Sequence, residues 1–323
     1  MNKFVFFGGK GGVGKTTVSS AYGLRCAAEG MRTLLVSTDP AHSTSDVFDQ
    51  QFDDDPAAVG GYENLWAMEL DPDEEVKRHM QSIKSSMTDQ VSPAIVNEID
   101  RQIELAHRTP GAYEAALFDR FIDVMRDSEA YDRVIFDTSP TGGTLRLLAL
   151  PEFLESWIER LAAKREESVD LFEKAAVGDK SARRKLEQDP ILERLAERKA
   201  DFEFAGETLR EAAMFYLVLN PDELSIEESH RAVADLTDAG LTVGGLIVNK
   251  VAPAPDDGES GTGATYLRER HRTEQQRLER IRGEFTQPVA GVIEQRVSEV
   301  KGDLLAEVAD DLVIDTEATA PTI

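Results

Sequence analysis

GGKGGVGKTT, residues 8–17, lies between the apolar run FVFF at 4–7 and a helix-compatible run at 18–28. The order is strand, glycine loop, helix. Within it Gly9, Gly14, Lys15 and Thr16 satisfy G-x-x-x-x-G-K-[ST], a pattern whose glycines let backbone N–H groups curl around phosphate oxygens without Cβ clashes. The N-terminus of the following helix adds partial positive charge. A glycine turn can also serve tight packing alone, but a strand before it and a helix after it are the context a phosphate loop needs. The stretch therefore predicts a nucleotide site in which Gly9, Gly11, Gly12, Val13, Gly14 and Thr17 wrap the phosphates. The Lys15 ammonium reaches the β- and γ-phosphates, and the Thr16 hydroxyl ligates Mg²⁺, a hard cation that prefers oxygen.

Outward from this loop, RTLLVS at 32–37 reads as a buried parallel strand that delivers TDPAHS at 38–43 to its carboxyl end, the edge where ligands sit in open parallel sheets. Asp39 there is a candidate to orient or deprotonate a water attacking the γ-phosphate, or else a turn aspartate of the Asp-Pro kind. DRVIFD at 132–137 ends in Asp137, placed to hold Mg²⁺ through its hydration shell, with a glycine-containing loop after it. LTVGGLIVN at 241–249 ends in Asn249, whose amide can read an adenine edge or simply satisfy a strand end. Further strands are expected at 64–70 and 213–219, the acidic stretch 49–61 reads as turns, and 288–293 and 312–315 are the last apolar segments, bracketing a short helix. Apolar residues at helical spacing over 73–127 and 151–212 interrupt the sheet pattern. The expected fold is α/β, a mostly parallel doubly wound P-loop sheet from 1–71, 129–150 and 213–323, with an inserted α-helical subdomain from 72–128 and 151–212.

The 323 residues carry 36 basic and 61 acidic side chains, a net charge of -25. That balance argues against nucleic-acid and anionic-membrane surfaces, which need basic patches. It suits concentrated salt, where a Debye length of about 3 Å near 1 M screens self-repulsion, as well as ordinary acidic solubility. Cys26 is the single cysteine, so no internal disulfide or multi-thiolate metal site can form. No run of 18 apolar residues exists, the first strand leaves no room for a signal peptide, and a cytoplasmic location is expected.

Lys10, two residues into the loop, exceeds the basic pattern. KGGVGKTT at 10–17, STDPAHS at 37–43, DTSPTGGTLRLLALP at 137–151 and LIVNK at 246–250 together resemble the ArsA/Get family of deviant-Walker ATPases. The resemblance implies a cytosolic homodimer that hydrolyses ATP at two composite sites. Lys10 would contact the partner subunit's nucleotide, while Gly12, Gly14, Lys15, Thr16 and Thr17 hold phosphate and Mg²⁺. Asp39 would activate water, Asp137 would begin the second switch, and Asn249 would contact adenine.

Two branches of the family differ in task. Members similar to the arsenical pump ATPase are usually tandem duplicates that sense trivalent metalloid through thiolates and energise an anion exporter, whereas this chain is a single copy with only Cys26. Members similar to the tail-anchored-protein targeting ATPase are single copies that bind a client's transmembrane segment in an apolar groove and deliver it to a membrane receptor. A client helix of ~20 residues exposes on the order of 1,000 Å² of apolar area, worth about 25 kcal/mol gross, so its groove must be gated. The zinc-binding C-x-x-C of many targeting members is absent from 256–266, so no zinc site is expected, and Gly143 stands where family members commonly have histidine. A third reading, a positioning ATPase similar to MinD or ParA, fits poorly with the acidic charge and the ATAPTI end.

Overall fold

A strand covered on both faces must be apolar at every position, and the first strand of the sheet meets that condition. In a computed structural model, which describes residues 2–38, 43–71, 74–75, 78, 112–138, 160, 190–256 and 258–314, β1 (Phe4–Gly8), β2 (Thr33–Ser37) and β5 (Arg133–Asp137) are buried throughout. With β3 (Ala57–Ala58), β4 (Leu65–Glu69), β6 (Ala213–Leu219), β7 (Val243–Val251) and β8 (Val289–Glu294) they form one eight-stranded sheet in the order β3-β4-β2-β5-β1-β6-β7-β8. Among the strands of the described residues, β3 and β4 alone pair antiparallel.

The two-residue period of the strands divides the core between two faces. Phe4, Phe6, Val134 and Phe136 face one side, and Val5, Phe7 and Ile135 the other. On the first side Phe6 stacks between Phe136 at 4.5 Å and Phe215 at 4.9 Å, with Phe121 edge-on at 6.2 Å. Helices α3 (Ala112–Arg126), α4 (Pro190–Glu211), α5 (Glu223–Asp238) and α6 (Thr262–Glu284) cover this face. On the other, α1 (Lys15–Ala28) and α7 (Asp303–Asp310) bury Val18, Tyr22, Leu305 and Val308, and the short α2 (Ser43–Phe48) adds Val47. This is the doubly wound arrangement expected from the sequence.

Details differ from the sequence reading. The acidic stretch 49–61, expected as turns, contains β3, whose Ala57 and Ala58 pair with Ala67 and Trp66 at the sheet edge. Helix α1 begins at Lys15, three residues before the apolar run, because Gly14 in the left-handed region (φ 91) ends the loop abruptly. The apolar segment near 312 contributes a single antiparallel bridge from Leu312 to Gly291.

Within the expected helical insert, Leu117, Phe121 and Leu209 pack into the sheet's own core. Ion pairs join these helices to each other and to the sheet edge. Arg198 meets Asp119, and Arg126 meets Asp201. Arg78 pairs with Asp54 and Glu75, while Arg120 donates to the Asp54 carbonyl. Glu75, Arg78, Asp119, Arg120, Arg198 and Asp201 line a cavity of about 240 Å³. The hydrogen bond from Arg78 holds the Asp54 carboxyl below its usual range, whereas burial raises that of Glu75. The other apolar positions expected on the insert, Met80 and Trp157 among them, lie outside the described residues.

Candidate nucleotide site

At the end of β1 the chain turns through Gly9 (φ 142). A Cβ there would stand 2.2 Å from the Val218 carbonyl oxygen of β6, so only glycine lets the loop leave the sheet this close to its neighbour. Gly12 (φ 80) faces open space, and at Gly14 a Cβ would sit 2.4 Å from Nδ2 of Asn249. Lys15, 7% exposed, donates from Nζ to the Gly9 and Lys10 carbonyls, both at 3.2 Å, and so closes the loop over its own base. Lys10, Thr16 and Thr17 are half-buried, Val13 is buried, and Gly11 and Gly12 are exposed.

The first turn of α1 carries no acidic residue and no side-chain cap. Its N-terminal dipole therefore favours an anion there. A glycine cradle, a helix N-terminus without an acidic residue or side-chain cap, and Lys15 at the base of the loop fit a nucleotide polyphosphate.

The ends of β1, β5 and β2 lie side by side, with Asp137 level with both Phe7 and Ser37. Cross-strand bonds fix this edge. Thr38 donates to the Asp137 carbonyl from its N–H at 3.1 Å and its hydroxyl at 3.2 Å, and the Thr138 hydroxyl donates to the Phe7 carbonyl at 2.8 Å. The Asp137 side chain is 1% exposed at this edge. With the Thr16 hydroxyl it offers hard oxygen donors of the type Mg²⁺ takes. Asp39 and Gly143 lie outside the described residues. The segment carrying Asp39 is bracketed by Thr38 and by α2, where Ser45 donates from its N–H (2.9 Å) and hydroxyl (2.7 Å) to the buried Glu69 carboxylate. Glu69 escaped the sequence reading because a carboxylate ending a strand carries no signal of a partner 24 residues away.

Asn249 is 7% exposed, and its amide turns to the loop: Nδ2 donates to the Val13 carbonyl at 2.7 Å, and Oδ1 accepts from the Lys250 N–H at 2.9 Å. One amide hydrogen and one lone pair remain for another partner. Lys250 was not singled out from sequence. It adopts φ 59 and donates from Nζ to the Gly12 carbonyl at 2.6 Å.

A parallel sheet that presents such a glycine cradle at the carboxyl edge of its central strand defines a P-loop nucleotide-binding protein. The family model described as anion-transporting ATPase matches residues 2–314. The chain belongs to this ArsA family of ATPases. It is 34% identical over 282 residues to a protein titled "Putative arsenical pump-driving ATPase 2" from Aquifex aeolicus, covering 87% of this chain and 88% of that one. A similarly titled Halobacterium salinarum protein is 33% identical over 320 residues, 98% of this chain but only 45% of the relative's length. ATPase GET3A of Arabidopsis thaliana is 34% identical over 283 residues, 86% of this chain and 74% of the relative. The chain is accordingly an ATPase of the ArsA/GET3 type.

Proposed function

We propose that the chain works as a Mg²⁺-dependent ATP-hydrolysing homodimer whose nucleotide state controls a helical client-binding region, and that its clients are the transmembrane segments of tail-anchored membrane proteins. The observation that carries the ATP-driven part is the cradle formed by Gly9, Gly12 and Gly14 with Lys15 at its base. Thr16 and Asp137 would hold Mg²⁺, which when bound neutralises charge between the β- and γ-phosphates. Asp39 would orient the attacking water, and Lys10 would reach the partner subunit's nucleotide.

Cys26 favours client binding over metalloid sensing. It is fully buried in α1, and burial pushes its thiol up to about 12, far from the thiolate that a soft metalloid requires. Ion pairs and a hydrogen bond tie α3 and α4 to each other and to the loop before β3, so a displacement of either helix would be felt by the other. Among the described residues no helix is long and apolar enough to cross a membrane. The relatives named as arsenical pump-driving ATPases keep an exporter's energising subunit as the second reading.

Light scattering tests the dimer. The mass is expected to double with Mg²⁺ and a non-hydrolysable ATP analogue relative to nucleotide-free protein. Lys10→Ala is expected to weaken that association at least about tenfold while leaving the thermal midpoint of the monomer in place. A variant that dimerises as the parent does would take Lys10 out of the interface.

A further inference from the structure

We infer that Lys250, acting together with Asn249, is a positioning residue for the phosphate-binding loop, one that fixes which way the loop's N–H groups point. The inference rests on the nucleotide reading of the loop and deepens it. In a planar trans peptide, the carbonyl of one residue and the N–H of the next point in opposite directions. Lys250 Nζ holds the Gly12 carbonyl and Asn249 Nδ2 holds the Val13 carbonyl. The N–H groups of Val13 and Gly14 are therefore turned away from the end of β7.

Three further carbonyls of the loop are also engaged. Gly9 and Lys10 accept from Lys15, and Gly14 accepts from the Val18 N–H. With carbonyls so occupied, the loop presents N–H groups to an anion and has few acceptors to repel it. Lys250 adds a second effect. An ammonium on a carbonyl polarises the peptide and makes the following N–H a better donor, here the N–H of Val13.

The backbone at Lys250 is arranged for this purpose. Its φ of 59 is a conformation that favours glycine or asparagine over lysine, and it falls where the β7–β8 register shifts between Val248 and Val251. Asn249 Oδ1 holds the Lys250 N–H in that turn. Glycine or asparagine at 250 would suit the backbone better, and only lysine or arginine would also bring a cation to Gly12.

The test uses Lys250→Asn, Lys250→Gly and Lys250→Arg in the full chain, each at the same salt concentration, with ADP and GDP binding by calorimetry and steady-state ATP hydrolysis. Asparagine and glycine are expected to keep or raise the thermal midpoint yet weaken ADP and GDP by the same factor, about tenfold, with KM for ATP rising in step and kcat within about twofold. Arginine is expected to restore most of the affinity. Parent-like ADP affinity in the asparagine and glycine variants would overturn the inference, as would an arginine variant no better than asparagine. A parent protein that binds neither nucleotide would instead overturn the nucleotide site itself.

Discussion

Alanine at position 9 is expected to remove nucleotide binding and to lower unfolding stability by about 3 kcal/mol, because it adds a clash and backbone strain at one point. Gly9 has φ 142, and its missing Cβ would lie 2.2 Å from a backbone oxygen of β6. That oxygen belongs to Val218, fully buried in the sheet, and cannot move aside as a flexible side chain would. The loop must shift away from β6, and the Gly9 carbonyl that receives Lys15 shifts with it. Gly12→Ala is the control. Gly12 has φ 80 but nothing within 4 Å of its would-be Cβ, so strain alone acts there, costing about 1 kcal/mol. Calorimetric ADP titrations and urea unfolding of both variants check the pair. ADP affinity in Gly9→Ala at least about a hundredfold below the parent is the expected result, and parent-like affinity would show that the loop does not depend on its fit against β6.

Asp39→Asn is expected to leave ADP and ATP affinity within about threefold of the parent while lowering kcat at least about a hundredfold, the scale of a lost general base. Thr38, the last described residue before it, is held by two bonds to the Asp137 carbonyl, at the edge that also presents the start of the phosphate loop. Asparagine preserves the shape and the acceptor oxygen but removes the carboxylate that would take or orient a water proton. Single-turnover hydrolysis separates this from a binding defect. Turnover near that of the parent would remove Asp39 from the role.

The central architecture was legible because it rests on local rules. The β1 run, the glycine spacing and Lys15 all fall within fifteen residues of the start of the chain: burial on both faces demands the apolar run, and sterics that glycine alone relieves fix Gly9 and Gly14. Asp137 was legible for a related reason, since a carboxylate ending an apolar strand of a parallel sheet lands on the ligand edge. β3 was not, because two alanines in an acidic stretch have no periodicity and pair only once β4 exists. The use of Asn249 depends on a contact 236 residues away, and that of Lys250 on one 238 residues away. Nothing beside them in the chain marks either contact. A non-glycine residue with φ 59 at a strand end is visible only in three dimensions.

The most direct test of nucleotide-gated client capture is co-purification of a tail-anchored transmembrane segment with the full chain in molar potassium chloride. Mg²⁺ with ATP is compared with Mg²⁺ with ADP, and arsenite-stimulated hydrolysis is measured on the same preparation. Retention of the segment in one nucleotide state and its loss in the other, with hydrolysis indifferent to arsenite, is the predicted result. No retention in either state, together with arsenite-stimulated turnover, would contradict the account and place the protein with the exporters.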